Sequence, residues 1–271
     1  MFAIIEAAQW AQENFGRCDL GDKRRGARLV GIAGDLARNA GASLLKSCEG
    51  DEAAAEGLSD RLLRNAEVDP DAIAEGGFEA TAQRARSCEL LLAVEDRPSL
   101  ACRHSVAEAL VTTSSNPTSV NKGFIVHSVV LLDGCTGATV GPIEQRRWTR
   151  VADDYGKSSD RKRRAYEDKE SFKWQQAGQA VRSRLGEALS ERTTTVCDRE
   201  AHISDYLLWQ EAVGGRYVVR AAGDRRLCDT QHGLWDTLAQ APWLGVARDT
   251  NPSTRWSPGT VCAIVCACTE G

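Results

Sequence analysis

Two short β-prone runs in this chain end in carboxylates. Leu90-Leu91-Leu92-Ala93-Val94 leads into Glu95-Asp96, and Thr193-Thr194-Thr195-Val196-Cys197 leads into Asp198. Runs of this length predict strands, the first of them central and covered on both faces. An aspartate at a strand end has an ordinary use, because its side chain readily starts a turn or a helix. It acquires a chemical use when two such strands lie side by side. Adjacent carboxylates repel unless a cation neutralises them, and a pair of divalent ions does so while activating an attacking oxygen and stabilising a leaving one at a phosphate. Hard oxygen donors favour Mg2+ or Mn2+ over zinc. Asp96 and Asp198 are therefore the candidate catalytic and metal-binding residues.

Other reactive side chains carry weaker signals. The ten cysteines are scattered and form no CxxC pair; Cys262, Cys266 and Cys268 cluster, but three thiols without a fourth partner at a known spacing make a poor zinc pattern. Reduced structural thiols in a cytoplasmic protein are expected. His104 and His127 could shuttle protons, yet metal-activated water needs no shuttle, so both read as hydrogen-bonded structural histidines. Trp174 sits on an apolar stripe and is expected in the core. Arg199 could meet a phosphate beside Asp198 or pair with Glu200.

The elements that must position the two aspartates follow from periodicity. Leu29, Ile32, Ala33, Leu36, Ala37 and Ala40 recur at helical spacing, with Asp22 placed to cap the start and Gly41 to end it. Helix-like segments precede it from Ile4 to Phe15 and follow it from Asp51 to Asn65, so residues 1–68 read as a helical module. Asp69-Pro70 starts a further helix over 71–87, weakened by Gly76-Gly77. After Leu90 the period changes. The runs Phe124 to Leu132 and Ala138 to Trp148, joined at Asp133-Gly134, predict an antiparallel hairpin. A helix marked by Trp174, Ala177, Val181, Leu185 and Leu189, the strand Thr193 to Cys197, a helix with Ile203, Tyr206 and Leu207, and a strand Arg216 to Arg220 complete the series.

The order β-β-β-α-β-α-β is that of a ribonuclease-H-like sheet, in which the first strand is central and the fourth lies parallel beside it, as right-handed crossovers favour. The expected class is α/β: an all-helical N-terminal module followed by a ribonuclease-H-like mixed sheet, incomplete at its C-terminal end. That arrangement brings Asp96 and Asp198 together at the carboxyl edge, where open α/β sheets place their ligands.

The length of 271 residues excludes a small disulfide-stapled peptide, and no apolar run approaches the roughly 20 residues of a membrane helix. Basic residues number 34 against 38 acidic, a net charge of -4, yet the bases cluster at Lys23 to Arg28, Arg146 to Arg150 and Lys157 to Arg164. Local positive patches survive a negative total.

The segments Leu91 to Asp96 with Ser99-Leu100, and Val196-Cys197-Asp198-Arg199-Glu200-Ala201 with Tyr206-Leu207, resemble the DDE transposases of the insertion-sequence-four family, transposon-five type. The likeness extends through Trp10-Ala11, Leu20-Gly21-Asp22, Glu49-Gly50, Arg103-His104, Val126-His127-Ser128, Glu170-Ser171, Lys173-Trp174, Val218-Val219-Arg220 and Leu234 with Asp236 and Leu238, spanning about residues 7 to 245. The resemblance implies cut-and-paste DNA transposition: metal-dependent phosphodiester hydrolysis and strand transfer by an Asp, Asp, Glu triad. Its first two members fall on Asp96 and Asp198. It also implies a helical end-binding domain (1–68) and a catalytic domain (69–245), with double-stranded transposon-end DNA as partner and a homodimer, or a heterodimer with an intact transposase, as assembly. Arg24, Arg25 and Arg28 look like end-DNA contacts by the same comparison; Arg24 and Arg28 stack at i, i+4 and can neutralise neighbouring phosphates.

The third acid of that family, a glutamate in a Tyr, Arg, Glu, Lys signature, does not occur after Asp198, and residues 246–271 read as a non-homologous tail. The sequence therefore leads us to expect a truncated transposase, inactive alone because the members of a catalytic unit act together. The competing functions are a non-catalytic end-binding remnant or inhibitor, and an unrelated ribonuclease-H-like nuclease.

Overall fold

The computed structural model describes residues 6–42, 44–47, 62–102, 110–114, 119–150, 163–226, 233–240 and 264–267. His104, Glu49-Gly50, the helix expected from Asp51 up to residue 61, the bases at 157–162, and Cys262 and Cys268 lie outside these residues.

The N-terminal helices are α1 (Ala7–Phe15), α2 (Lys23–Arg38) and the single turn α3 (Leu44–Ser47). The Asp22 carboxylate caps α2 by accepting from the Arg24 amide at 2.8 Å, as its position in the sequence predicts. Leu20, Leu29 and Leu62 form a small core with Phe15, Ile32, Val68 and Ile73 around it. The last of these belongs to α4 (Pro70–Ala85), which begins at an Asp69 cap with Pro70 in the first turn.

Gly76-Gly77 does not interrupt α4. Both glycines are buried, and a Cβ on Gly76 would lie 2.1 Å from Cys18 Sγ. The pair lets the loop between α1 and α2 press against the helix backbone, a close-approach role that accompanies the lower helix propensity of glycine. Arg84 extends the same junction by donating to Asn14 Oδ1 at 2.9 Å and to the Val140 carbonyl at 3.0 Å.

The strands are β1 (Leu91–Asp96), β2 (Ser99–Ala101), β3 (Gly123–Asp133), β4 (Thr139–Trp148), β5 (Thr193–Cys197), β6 (Arg216–Arg220) and β7 (Ile264–Ala267). They form one mixed sheet in the order β2-β3-β1-β5-β6-β7, with β4 on β3. The core order β4-β3-β1-β5-β6, antiparallel on one side of β1 and parallel on the other, is the ribonuclease-H-like arrangement expected from the strand series. Two strands were not foreseen. The three-residue β2 is fully exposed and pairs with β3 over Gly123–Ile125, and β7, inside the segment read as a foreign tail, pairs antiparallel with β6.

Helices α5 (Lys173–Leu185) and α6 (Glu187–Ser190) run between β4 and β5, and α7 (Ser204–Ala212) between β5 and β6; α8 (Leu234–Gln240) follows β6. The main core joins the sheet to α4, α5 and α6: Leu91, Ala93, Val129, Leu131 and Ile143 from the strands meet Ala85, Ala177, Val181, Leu185 and Leu189. Trp174, expected in the core, is 1% exposed and packs with Cys197, Tyr206 and Val219 beside the carboxyl ends of β1 and β5. Among the described residues no helix is long and apolar enough to cross a membrane.

Candidate functional site

β1 and β5 are parallel neighbours in which Glu95 pairs with Cys197. The next residue on each strand is Asp96 and Asp198, so both stand at one level on the same rim, and both are exposed. Alternation sends Glu95 and Cys197 into the core under Trp174 and frees the two aspartates from it. Just beyond Asp96 the chain breaks at Arg97-Pro98 before resuming as β2 on β3; proline has no N–H to continue a ladder, and its carbonyl accepts from Val126 N at 3.0 Å.

Each carboxylate is oriented by backbone. Asp96 Oδ1 accepts from the Arg97 amide at 2.8 Å, and Asp198 Oδ1 accepts from the Glu200 amide at 2.8 Å, capping a 3-10 turn over Arg199–Ala201. Neither Oδ2 has a hydrogen-bond donor among the described residues. Two exposed carboxylates with free oxygens are a donor set that suits Mg2+ or Mn2+. No group of three or more His, Cys, Asp or Glu able to hold a metal occurs among the described residues.

A belt of charge starts at Arg97 and Glu200, the residues whose amides hold the two aspartates. Arg97 forks onto Glu200, Nε to Oε2 at 2.7 Å and Nη2 to Oε1 at 2.8 Å. Arg150 forks in the same way onto Glu170 at 3.0 and 3.1 Å and also donates to the Thr113 carbonyl at 2.9 Å. Lys173 lies between, its Nζ 3.9 Å from a carboxylate oxygen of each glutamate. The Arg97 hydrogen bonds hold the Glu200 carboxyl below its ordinary value. For Glu170, burial acts upward, but Arg150 and the other cations prevail and lower it. Burial and the nearby Arg97 push the Lys173 ammonium down to about 8.

Glu200 is thus taken by Arg97, not by Arg199, the neighbour weighed as its partner in the sequence. The belt residues carried little sequence signal of their own. Glu170 and Lys173 stood only within the resemblance, and Arg97 was not singled out.

Beneath the rim, Glu95 and His127 are buried together, with Oε2 and Nε2 3.2 Å apart. The contact is misaligned for a hydrogen bond, and neither imidazole nitrogen has a hydrogen-bond partner, which corrects the expectation of a hydrogen-bonded histidine. The ring instead meets the Trp174 indole edge-on with centroids 4.6 Å apart. Burial pushes Glu95 up to about 8, and burial, reinforced by Lys173, Arg146 and Arg97, pulls His127 down to about 3.

The three candidate arginines on α2 differ. Arg24 is exposed and salt-bridged to Asp22 at 2.9 Å, a contact that draws the Asp22 carboxyl down to about 2. Arg25 Nη1 donates to the carbonyls of Leu20 at 3.1 Å and Glu67 at 3.3 Å, tying the helix start to the segment before α4. Arg28 is half-buried and makes no hydrogen bond or ion pair among the described residues.

Residues 7–68 match the family described as Transposase DNA-binding. The chain therefore carries an N-terminal transposase DNA-binding domain. Together with the ribonuclease-H-like mixed sheet that follows, this architecture is consistent with the DDE transposase superfamily in general.

Proposed function

We propose that the chain is a DDE transposase of the insertion-sequence-four family, transposon-five type, that binds double-stranded transposon-end DNA and is inactive alone. The observation that carries this is the pairing of a transposase DNA-binding domain with two exposed aspartates at one level on the rim of parallel β1 and β5. Arg24, Arg25 and Arg28 would meet end-DNA phosphates. Such contacts position a duplex and do not specify its bases.

Asp96 and Asp198 would hold Mg2+ or Mn2+ through the oxygens left free by their backbone hydrogen bonds. When bound, the ion supplies Lewis-acid activation of water and of the phosphate. The chain's own part is to orient the two carboxylates by the Arg97 and Glu200 amides and to neutralise the charge around them with Arg97, Arg150 and Lys173. Sites of this class use a third carboxylate, and of the two glutamates in the described rim belt Glu200 is held by Arg97 and Glu170 by Arg150. In this reading the chain holds DNA without cutting it, as an end-binding form or as a partner of an intact copy.

The test is binding and cleavage of duplexes taken from the DNA flanking the gene. Salt-dependent binding, weakened in Arg28→Ala, without Mg2+-dependent nicking is expected. Nicking that disappears in Asp96→Ala and Asp198→Ala would overturn inactivity alone, and products showing hydrolysis without strand joining would favour a nuclease. Absence of DNA binding would overturn the assignment.

A further inference from the structure

Among the described residues Lys173 differs from the other cations of the rim belt in having ion pairs only, with no hydrogen bond to a carboxylate. It opens α5, is 9% exposed, and makes no hydrogen bond through its ammonium among the described residues. Its nearest carboxylate oxygens, on Glu170 and Glu200, are 3.9 Å away, beyond hydrogen-bond reach. Both glutamates are already held by forked arginines, Glu170 by Arg150 and Glu200 by Arg97. Among the described residues both glutamates thus have their oxygens taken by arginines, and the ammonium is the group left without a hydrogen-bond acceptor.

A buried ammonium with unmade hydrogen bonds costs stability unless something compensates it. Partial compensation comes from the Trp148 and Trp174 rings, whose centroids lie 5.9 and 5.5 Å from Nζ. These contacts fix the direction of the side chain but supply no acceptor. Lys173 also lines a groove of about 670 Å3 between β4, α4 and α5, whose lining mixes cations such as Arg146, Lys169 and Arg184 with the carboxylates of Glu75, Glu144 and Glu170. The groove gives a ligand access to the ammonium, which lacks an oxygen acceptor of its own.

We propose that Lys173 is a phosphodiester-binding residue, which takes a non-bridging oxygen of a DNA strand laid across the rim next to Asp96 and Asp198. This rests on the DNA-processing function argued above. It assigns to α5 a phosphate contact separate from those of the N-terminal helices. Arg97 and Arg150 are held by their glutamates and serve to keep the belt in place; Lys173 alone is poised for the ligand. An arginine at this position would keep the charge, whereas methionine would keep the packing between the two indoles and remove it.

Two measurements test this on the whole chain. In the first, the lysine ammonium NMR signals are followed while a dinucleotide with a single phosphodiester is added, the Lys173 signal being assigned by its loss in Lys173→Arg. A saturable shift of that signal, absent with the unphosphorylated nucleoside, is expected. In the second, affinity for a generic duplex is measured against salt. Lys173→Met should lower the slope of log K against log salt by about 0.9, one phosphate contact, and Lys173→Arg should restore it. An unmoved Lys173 signal, or a parental slope in Lys173→Met, overturns the proposal even if the chain binds DNA. A moving signal in a chain that binds no duplex supports the phosphate site and sinks the transposase assignment instead.

Discussion

Arg97 and Glu200 close the rim from both sides. One follows Asp96 directly and the other stands two residues after Asp198, so their forked contact at 2.7 and 2.8 Å joins the ends of two parallel strands exactly where the candidate carboxylates leave the sheet. Bidentate charge-assisted bonds of this kind fix geometry as well as adding energy. Glu200 is 42% exposed along its side chain, so solvent screening keeps the energy modest.

The Arg97 and Glu200 pair should show a coupling energy of about 1 kcal/mol in a double-mutant cycle of Arg97→Ala and Glu200→Gln, read by denaturant unfolding. Arg97→Ala should also weaken Mn2+ uptake measured by calorimetry, since the Asp96 turn loses its anchor. A coupling indistinguishable from zero would show that the pair does not hold the rim.

The buried Glu95 and His127 pair sets a pH profile for stability. In the folded protein the pair holds one proton across a wide range, because Glu95 is raised from 4.5 to about 8 and His127 lowered from 6.5 to about 3. The unfolded chain holds two protons on these groups below 4.5, one between 4.5 and 6.5, and none above 6.5. Stability therefore falls as pH drops from 4.5 towards 3, is level from 4.5 to 6.5, and falls again as pH rises from 6.5 to 8, where the folded state keeps a proton that the unfolded state has lost. The last loss is about 2 kcal/mol. Glu95→Gln should abolish it and turn the level stretch into a rise with pH. Thermal unfolding across this range gives the answer, and an unchanged profile in Glu95→Gln would assign the dependence to other groups.

What the sequence could reveal follows from how local each signal is. Asp22 and Asp69-Pro70 mark helix starts because capping acts within a turn, and Thr193 to Cys197 reads as a strand because β-branched residues cluster there. The exposed Ser99–Ala101 has no pattern of its own and is a strand only because β3 is beside it. The aspartates were legible as strand ends. The belt was not, because Arg97, Arg150, Glu170, Lys173 and Glu200 come from separate turns and helices with no shared period, and only the fold gathers them. Glu95 was readable in principle: alternation with Leu91 and Ala93 puts it on the core face, although a glutamate near a strand end suggests solvent.

Gly76→Ala tests the close approach of α4 to the α1–α2 loop. The new methyl would meet Cys18 Sγ at 2.1 Å and Cys18 Cα at 3.3 Å, so the loop must shift, at a cost of about 1–3 kcal/mol. Cys18→Gly in the same chain removes the sulfur and should recover part of that loss. If Gly76→Ala is as stable as the parent by denaturant unfolding, the helix and loop are not in the contact described.

Arg25 and Arg28, two arginines on one helix, should fail in different ways. Arg25 holds the Leu20 and Glu67 carbonyls, so Arg25→Ala leaves both acceptors without that donor and loosens the junction between α2 and α4. A stability loss of about 1 kcal/mol should accompany the loss of DNA affinity expected from its proposed phosphate contact. Arg28 has no internal partner among the described residues, so Arg28→Ala should leave unfolding unchanged and lower the salt slope of duplex binding by about 0.9, the signature of one phosphate contact. Unfolding curves and salt-titrated binding, run on both variants, separate the two roles. Equal destabilisation in both would mean that Arg28 also holds the fold, and an unchanged slope in Arg28→Ala would remove it from the DNA-contacting set.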